Sequence, residues 1–191
     1  MVKDPQCPGN RGVLHFGQDG GKGHDGTVYL AFNTIVTAFI SPVVDLSAPK
    51  AKAHLVGNLV SDGGTRQSGQ KIAAATRGAR LQDVTGAHNW FSGDFAGPAD
   101  TGLDPQANRF RRAPGPLFAD PARHDYRLRA EIVRTASTRL SADALQLPPV
   151  PGVPESDLPR PLLWQYQHPA GSQRRPAEAD LTLGAYAREG Q

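Results

Sequence analysis

YLAFNTIV at residues 29–36 and HLVGNLV at residues 54–60 carry one pattern, apolar residues, then an asparagine, then apolar residues, with Asn33 and Asn58 25 positions apart. A weaker third copy ends at Asn89, before Trp90 and Phe91, 31 positions further on. Self-similarity at a period of roughly 20–45 residues marks a repeat architecture in which each unit buries its apolar face on its neighbours. The units are short β-branched runs bounded by turn residues, the signature of strands. Besides the quoted runs these include VLHF (13–16), PVVDL (42–46), KIAAAT (71–76) and ARLQDV (79–84). No window of helical period long enough for a crossover helix separates them, which argues against alternating α/β architecture. Stacked strand units predict a parallel β-helix. An asparagine at each bend fits it, because Asn tolerates unusual backbone angles and stacked Asn amides can bond from one unit to the next.

Composition agrees with a solenoid and excludes several classes. Of 191 residues, 38 are Gly or Pro, only 7% are aromatic, and there is one Met and one Cys, which speaks against a densely packed helical bundle. Cys7 has no partner in the chain, so neither an internal disulfide framework nor a cysteine zinc site is available. No apolar run is long enough to cross a bilayer as a helix, and MVKDPQCPGN shows no signal-type apolar stretch. The net charge of +3 is local: residues 105–140 hold eight arginines against Asp120, Asp125 and Glu131. Such a segment could meet a polyanion, but no nucleic-acid motif accompanies it, and nucleic acid is not the expected partner.

The character changes near residue 97. Thirteen of the 17 prolines lie between residues 98 and 176, six of them in 148–161, where LPPVPGVPESDLPRP can be neither helix nor central strand. Residues 1–96 therefore read as β-helix turns, and 97–191 as a closing segment and proline-rich, mostly irregular tail packed on them, with Leu162, Leu163, Trp164 and Tyr166 docking and a short helix capped by Ser141.

GPLFADPARHDYRLRAE (115–131) and DLTLGAYARE (180–189) resemble the closing segments of right-handed parallel β-helix proteins of the pectate-lyase-like superfamily, many of which end in PLF-x-DP…DYRL and a DIGAYE-like tail. EIVRTAS (131–137) and Ala187 depart from that pattern. The resemblance covers most of residues 12–187 and implies an all-β fold, the end of a right-handed parallel β-helix. It implies a carbohydrate-active protein outside the cytoplasm, extracellular or periplasmic, acting on or binding an acidic polysaccharide, with cleavage by β-elimination. With about three turns visible, the chain is expected to be the C-terminal portion of a longer protein, and whether it carries the active site stays open. A non-catalytic β-helix module holding a polyanion is the alternative; a calcium-binding β-roll-like fragment is the second. A monomer is expected.

The glycine-rich loop GQDGGKGHDG (17–26) concentrates the candidate chemistry. Its GxGxxG text is no dinucleotide site, since a strand and not a helix follows. Its GGxGxD text makes Asp25 a calcium candidate, although such sites are built from stacked copies. β-Elimination requires a cation or metal at the uronate carboxylate and a base for the neighbouring proton, and Lys22 and His24 are the catalytic candidates. His15, Asp19, Trp90 and Arg127 are the substrate-binding candidates. Asn33, Asn58 and Asn89, together with Asp120 and Tyr126 of the closing signature, are assigned structural roles, and His54 is read as an outward-facing strand residue. Serine-hydrolase, zinc-protease and phosphate-loop motifs are absent.

Overall fold

Backbone pairing turns the quoted runs into parallel ladders. The computed structural model describes residues 2–3, 12–18, 23–39, 41–135, 139–140, 164–167, 171–174 and 181–186. The chain is all-β with mostly parallel sheets. Its strands are β1 (Val2–Lys3), β2 (Leu14–Phe16), β3 (Gly26–Ala31), β4 (Thr34–Thr37), β5 (Val44–Leu46), β6 (Ala51–Val56), β7 (Leu59–Ser61), β8 (Gln70–Lys71), β9 (Ala73–Ala75), β10 (Val84–Ala87), β11 (Trp90–Ser92), β12 (Phe95–Ala96) and β13 (Gly102–Leu103). They are followed by an antiparallel hairpin of β14 (Phe118–Asp120) and β15 (Asp125–Leu128), and by helix α1 (Ala130–Thr135). The pairs β16 (Arg139–Leu140) with β19 (Leu181–Thr182), and β17 (Trp164–Gln167) with β18 (Gly171–Arg174), are antiparallel.

Three parallel sheets form the body. Sheet 1 is β2-β5-β9, sheet 2 is β3-β6-β10-β13, and sheet 3 is β1-β4-β7-β11. From β2 to β11 the chain visits them three times in the order sheet 1, sheet 2, sheet 3, while β8 and β12 form a parallel ladder of their own and β13 adds to sheet 2. Each strand therefore pairs with the strand one circuit away, as in Tyr29 opposite His54 and His54 opposite Thr85. The parallel stacking runs on past residue 96, through β13 and the bridge between Trp90 and Arg109. ARLQDV, expected as one strand, is divided: Leu81–Asp83 is a single 3₁₀ turn and the strand begins at Val84. Asp83 pairs with Arg80 at 2.9 Å, a local bond that favours the turn over extension.

Alternation along each strand sends one set of side chains inward. Val44, Leu46, Ala53, Leu55, Val60, Val84, Phe91 and Leu103 form one continuous core between the sheets. The outward residues of sheet 3 mix buried polar Thr34, Ser61 and Ser92 with an apolar set. Val36, Leu59 and Trp90 lie beneath Leu117, Phe118, Tyr126, Ile132 and Leu183, so the closing segment and the stretch around β19 cover this face. The proline-rich stretch 148–161, Leu162, Leu163 and the Ser141 helix lie outside the described residues, as do the side chains of Trp164 and Tyr166.

The corner between sheets 2 and 3 is built the same way three times. Two residues separate the strands: Phe32-Asn33, Gly57-Asn58 and His88-Asn89. The first of each pair is left-handed, with φ of 54°, 63° and 60°. At the middle corner only glycine fits, since a Cβ on Gly57 would lie 2.8 Å from the Phe32 ring. The second residue of each pair belongs to a file of asparagines. The Nδ2 of Asn33 donates to Oδ1 of Asn58 at 3.0 Å, that of Asn58 to Asn89 at 2.8 Å, and that of Asn89 to Asn108 at 2.8 Å. Each acceptor oxygen also takes the backbone N–H of the donating residue, at 2.9–3.1 Å. Asn108 ends the file by turning its Nδ2 onto the carbonyls of Gly86 and Asp104.

Candidate functional site

The outer face of sheet 1 lacks the large apolar residues that sheet 3 carries at Val36, Leu59 and Trp90. With Leu14, Phe16, Val44 and Leu46 facing the core, His15, Asp45 and Ala74 share one outward register. The face is flat toward β9, whose three residues are all alanine. His15 is exposed, and its Nε2 lies 2.6 Å from the hydroxyl of Ser47. Ser47 itself is only 2% exposed, because the chain at Gly17-Gln18 crosses over it. The Gln18 N–H donates to Ser47 Oγ at 2.9 Å, and the Gln18 carbonyl is 3.3 Å from the same oxygen. Gly17 is required for that crossing: with φ of +134°, a Cβ there would stand 2.7 Å from the Ala48 nitrogen.

Serine, histidine and aspartate thus meet in one patch, but the arrangement is not that of a nucleophile. A serine that attacks substrate must present a free hydroxyl, with its base on one side and the substrate on the other. Ser47 is roofed by a peptide and serves to hold the imidazole of His15. Asp45, opposite His15 on the neighbouring strand, has a buried Oδ1 with no hydrogen-bond partner, an acceptor beside the imidazole.

The described end of the glycine-rich loop returns to β2. It does so on the other side of the strand from His15: His24 is exposed and stacks on Phe16, whose side chain faces the core, at 6.3 Å between ring centroids, and its N–H donates to the Gly17 carbonyl at 2.9 Å. Asp25, the calcium candidate, pairs instead with the Lys50 ammonium at 3.3 Å, both side chains being largely exposed. Among the described residues no three His, Cys, Asp or Glu side chains gather as metal ligands. Lys22, Asp19, Gly20 and Gly21 lie outside the described residues. His15 stands on the outer face of sheet 1, His24 on the core-facing side of β2, and Lys50 and Lys71 are exposed on the segments that follow β5 and precede β9.

The other candidates sit elsewhere. Trp90, a substrate-binding candidate, is fully buried, so its ring packs inside the protein and offers no face to a sugar. Its outward register on sheet 3 puts it under the closing segment. Its Nε1 donates to the Arg111 carbonyl at 2.7 Å, and the Arg109 guanidinium lies 4.0 Å from the ring centroid. Arg127 is on the closing hairpin, bound to Asp125 at 2.7 Å, and does not join the sheet 1 face. Asp120 caps the turn at Pro121–Arg123 by accepting the Arg123 N–H, and Tyr126 packs edge-on against Phe118 at 5.3 Å. His54 is half-buried on the outer face of sheet 2, with Nδ1 3.1 Å from the Thr85 hydroxyl and its ring beside Tyr29. Burial pushes its pKa down.

A second polar cluster carries no sequence pattern. Asp62, fully buried, receives both Nη atoms of Arg112 at 2.8 Å, the Gln70 amide at 3.1 Å and the Gly64 N–H at 2.9 Å, while Arg112 also reaches Asp94 at 3.0 Å. Burial pushes the Asp62 carboxyl up, yet these hydrogen bonds together with the guanidinium charge outweigh it and hold it below the usual carboxylate range. The cluster lines a cavity of about 480 Å³ between the stack and the loop at Pro114–Pro116. Fifty residues separate Asp62 from Arg112, so only the fold brings them together. No family model, no curated protein and no solved structure matches this chain.

Proposed function

We propose that the chain is part of a right-handed parallel β-helix whose outer sheet 1 face binds an acidic polysaccharide. The fixed order of sheet visits supports the helical winding, and the strong preference of parallel connections for one hand supports right-handedness. The observation that carries the function is the outer face of sheet 1, where Ser47 holds the exposed His15, with the exposed Lys50 and Lys71 on the segments flanking its strands. A flat face bordered by cationic and hydrogen-bonding groups suits an extended anionic chain.

The arginine-rich segment is the weaker contact for such a ligand. Arg112, Arg123, Arg127 and Arg129 each pair with a carboxylate, at 2.8, 3.7, 2.7 and 2.5 Å. Their charge is largely answered within the protein.

Affinity electrophoresis on pectin, alginate and glycosaminoglycans tests the reading. Retardation by at least one polymer is expected, weakened in His15→Ala and in the double variant Lys50→Ala, Lys71→Ala, and lost at high salt. Retention unchanged in both variants would move the site elsewhere. A parallel assay for the ultraviolet absorbance of unsaturated uronate separates cleavage from binding: β-elimination with His15 or His24 as base produces it, and binding alone does not.

A further inference from the structure

The asparagine file has a direction, and its two ends are unlike. Every step donates from the earlier residue to the later one, from Asn33 to Asn58, Asn89 and Asn108. At the late end Asn108 satisfies its Nδ2 on two backbone carbonyls. At the early end Asn33 donates to Ala31 and Asn58, but its own Oδ1 accepts from none of the described residues. Asn58 and Asn89 each accept two bonds at that atom, one from a side-chain amide and one from a backbone N–H. The unfilled position on Asn33 therefore has a defined chemistry: two N–H donors from one residue.

Two further features stand at the same end. β3 is the terminal strand of sheet 2, six residues long, with no neighbour on its outer edge among the described residues. Its inward Val28 and Leu30 are only partly buried, whereas Ala53 and Leu55, their counterparts one circuit later, are 1% and 0% exposed. Leu14 and Phe16 are likewise partly buried where Val44 and Leu46 are fully so. An open edge calls for extended backbone, partly exposed alternate apolar side chains call for apolar partners two residues apart, and the Asn33 oxygen calls for an amide.

We infer that this end is a docking surface for an extended segment, running parallel to β3, with alternating apolar residues and an asparagine placed to donate to Asn33. The inference rests on the hydrogen-bond polarity and the open edge alone, and is independent of the sugar-binding reading. The chain's own repeat supplies the probe. A fluorescent peptide AKAHLVGNLV, the sequence of residues 51–60, should bind the whole protein saturably in an anisotropy titration. The same peptide with its asparagine changed to aspartate keeps the shape but loses the donor, and should bind about five- to ten-fold more weakly. A scrambled peptide should not bind. In the protein, Leu30→Lys places an inward charge on the open edge and should abolish binding, with circular dichroism reporting that the fold is kept. Absence of saturable binding by the parent peptide would overturn the inference. So would equal binding by the asparagine and aspartate peptides, which would reduce the surface to unselective edge pairing.

Discussion

Sheets 3 and 1 are built from strands of the same kind, in the same stack, and differ in what they send outward. Sheet 3 presents Val36, Leu59 and Trp90 beside the small polar Thr34, Ser61 and Ser92, and its apolar set lies under the closing segment. Sheet 1 presents His15, Asp45 and Ala74, with no second apolar cluster laid over it among the described residues. Inward positions alone make the stack; outward positions decide which side acquires a lid and which stays open to a ligand. Apolar surface of Trp90's size left in water costs several kcal/mol, enough to recruit a hairpin, whereas a histidine and an aspartate are as well served by solvent or by a bound polymer.

The sharpest way to break this contrast is at the joint between lid and stack. Arg112→Ala leaves the Asp62 carboxylate buried and unpaired and should destabilise by about 3–5 kcal/mol in urea unfolding. The pH dependence gives an independent check. The folded-state pKa of Asp62 is depressed, so the pair's contribution is present above the ordinary carboxylate pKa and is lost as pH falls through the depressed value. That acid limb should flatten in the double variant Asp62→Asn, Arg112→Met. Trp90→Ala should cost a comparable amount, about 3–5 kcal/mol, from the cavity left beneath the lid. A near-neutral result would mean that the lid does not depend on its largest anchor.

Asn58→Ala probes what the two faces share. It removes the donor to Asn89 and Leu30 and the acceptor of Asn33, and should lower stability by about 1–3 kcal/mol. The smallest effect belongs to a half-buried position outside the core: His54→Ala on sheet 2 should change stability by no more than about 1 kcal/mol. Its sign with pH is defined. Burial lowers its folded pKa, so the unfolded chain binds the proton more readily, and stability should fall slightly as pH drops below 6.5 toward the depressed value. A His54→Gln variant should lose that slope, measured as melting temperature between pH 7 and 5.

The part of this fold that repeats could be read from the chain, because Asn33, Asn58 and Asn89 follow one local pattern at comparable spacings. Asn108 escaped the same reading. It follows Asn89 after only 19 residues and is succeeded by Arg109 in place of an apolar residue. His15 could be picked out by residue type, but its partner Ser47 is 32 positions away and meets it only across β2 and β5. The burial of Trp90 is not legible in the chain, because an aromatic beside Asn89 is compatible with either face of a strand. Whether an outward face is bare depends on residues 117–132 and 183, far along the chain. Composition likewise counts the arginines of 105–140 as a basic patch, since it cannot see Asp62 and Asp94 folding back onto Arg112.

The two-residue corner also bears on how this chain can vary. The link from sheet 2 to sheet 3 is two residues at each of its three occurrences, while the links from sheet 1 to sheet 2 span β2–β3, β5–β6 and β9–β10 with unequal lengths. One inserted residue at Phe32-Asn33 or Gly57-Asn58 would displace an amide from the file and turn the next strand over, sending core residues outward. The same insertion between β9 and β10 would only lengthen an exposed loop. Length change in this architecture is therefore confined to particular edges, and new binding loops could be grafted beside sheet 1 without disturbing the corner that keeps the circuits in step.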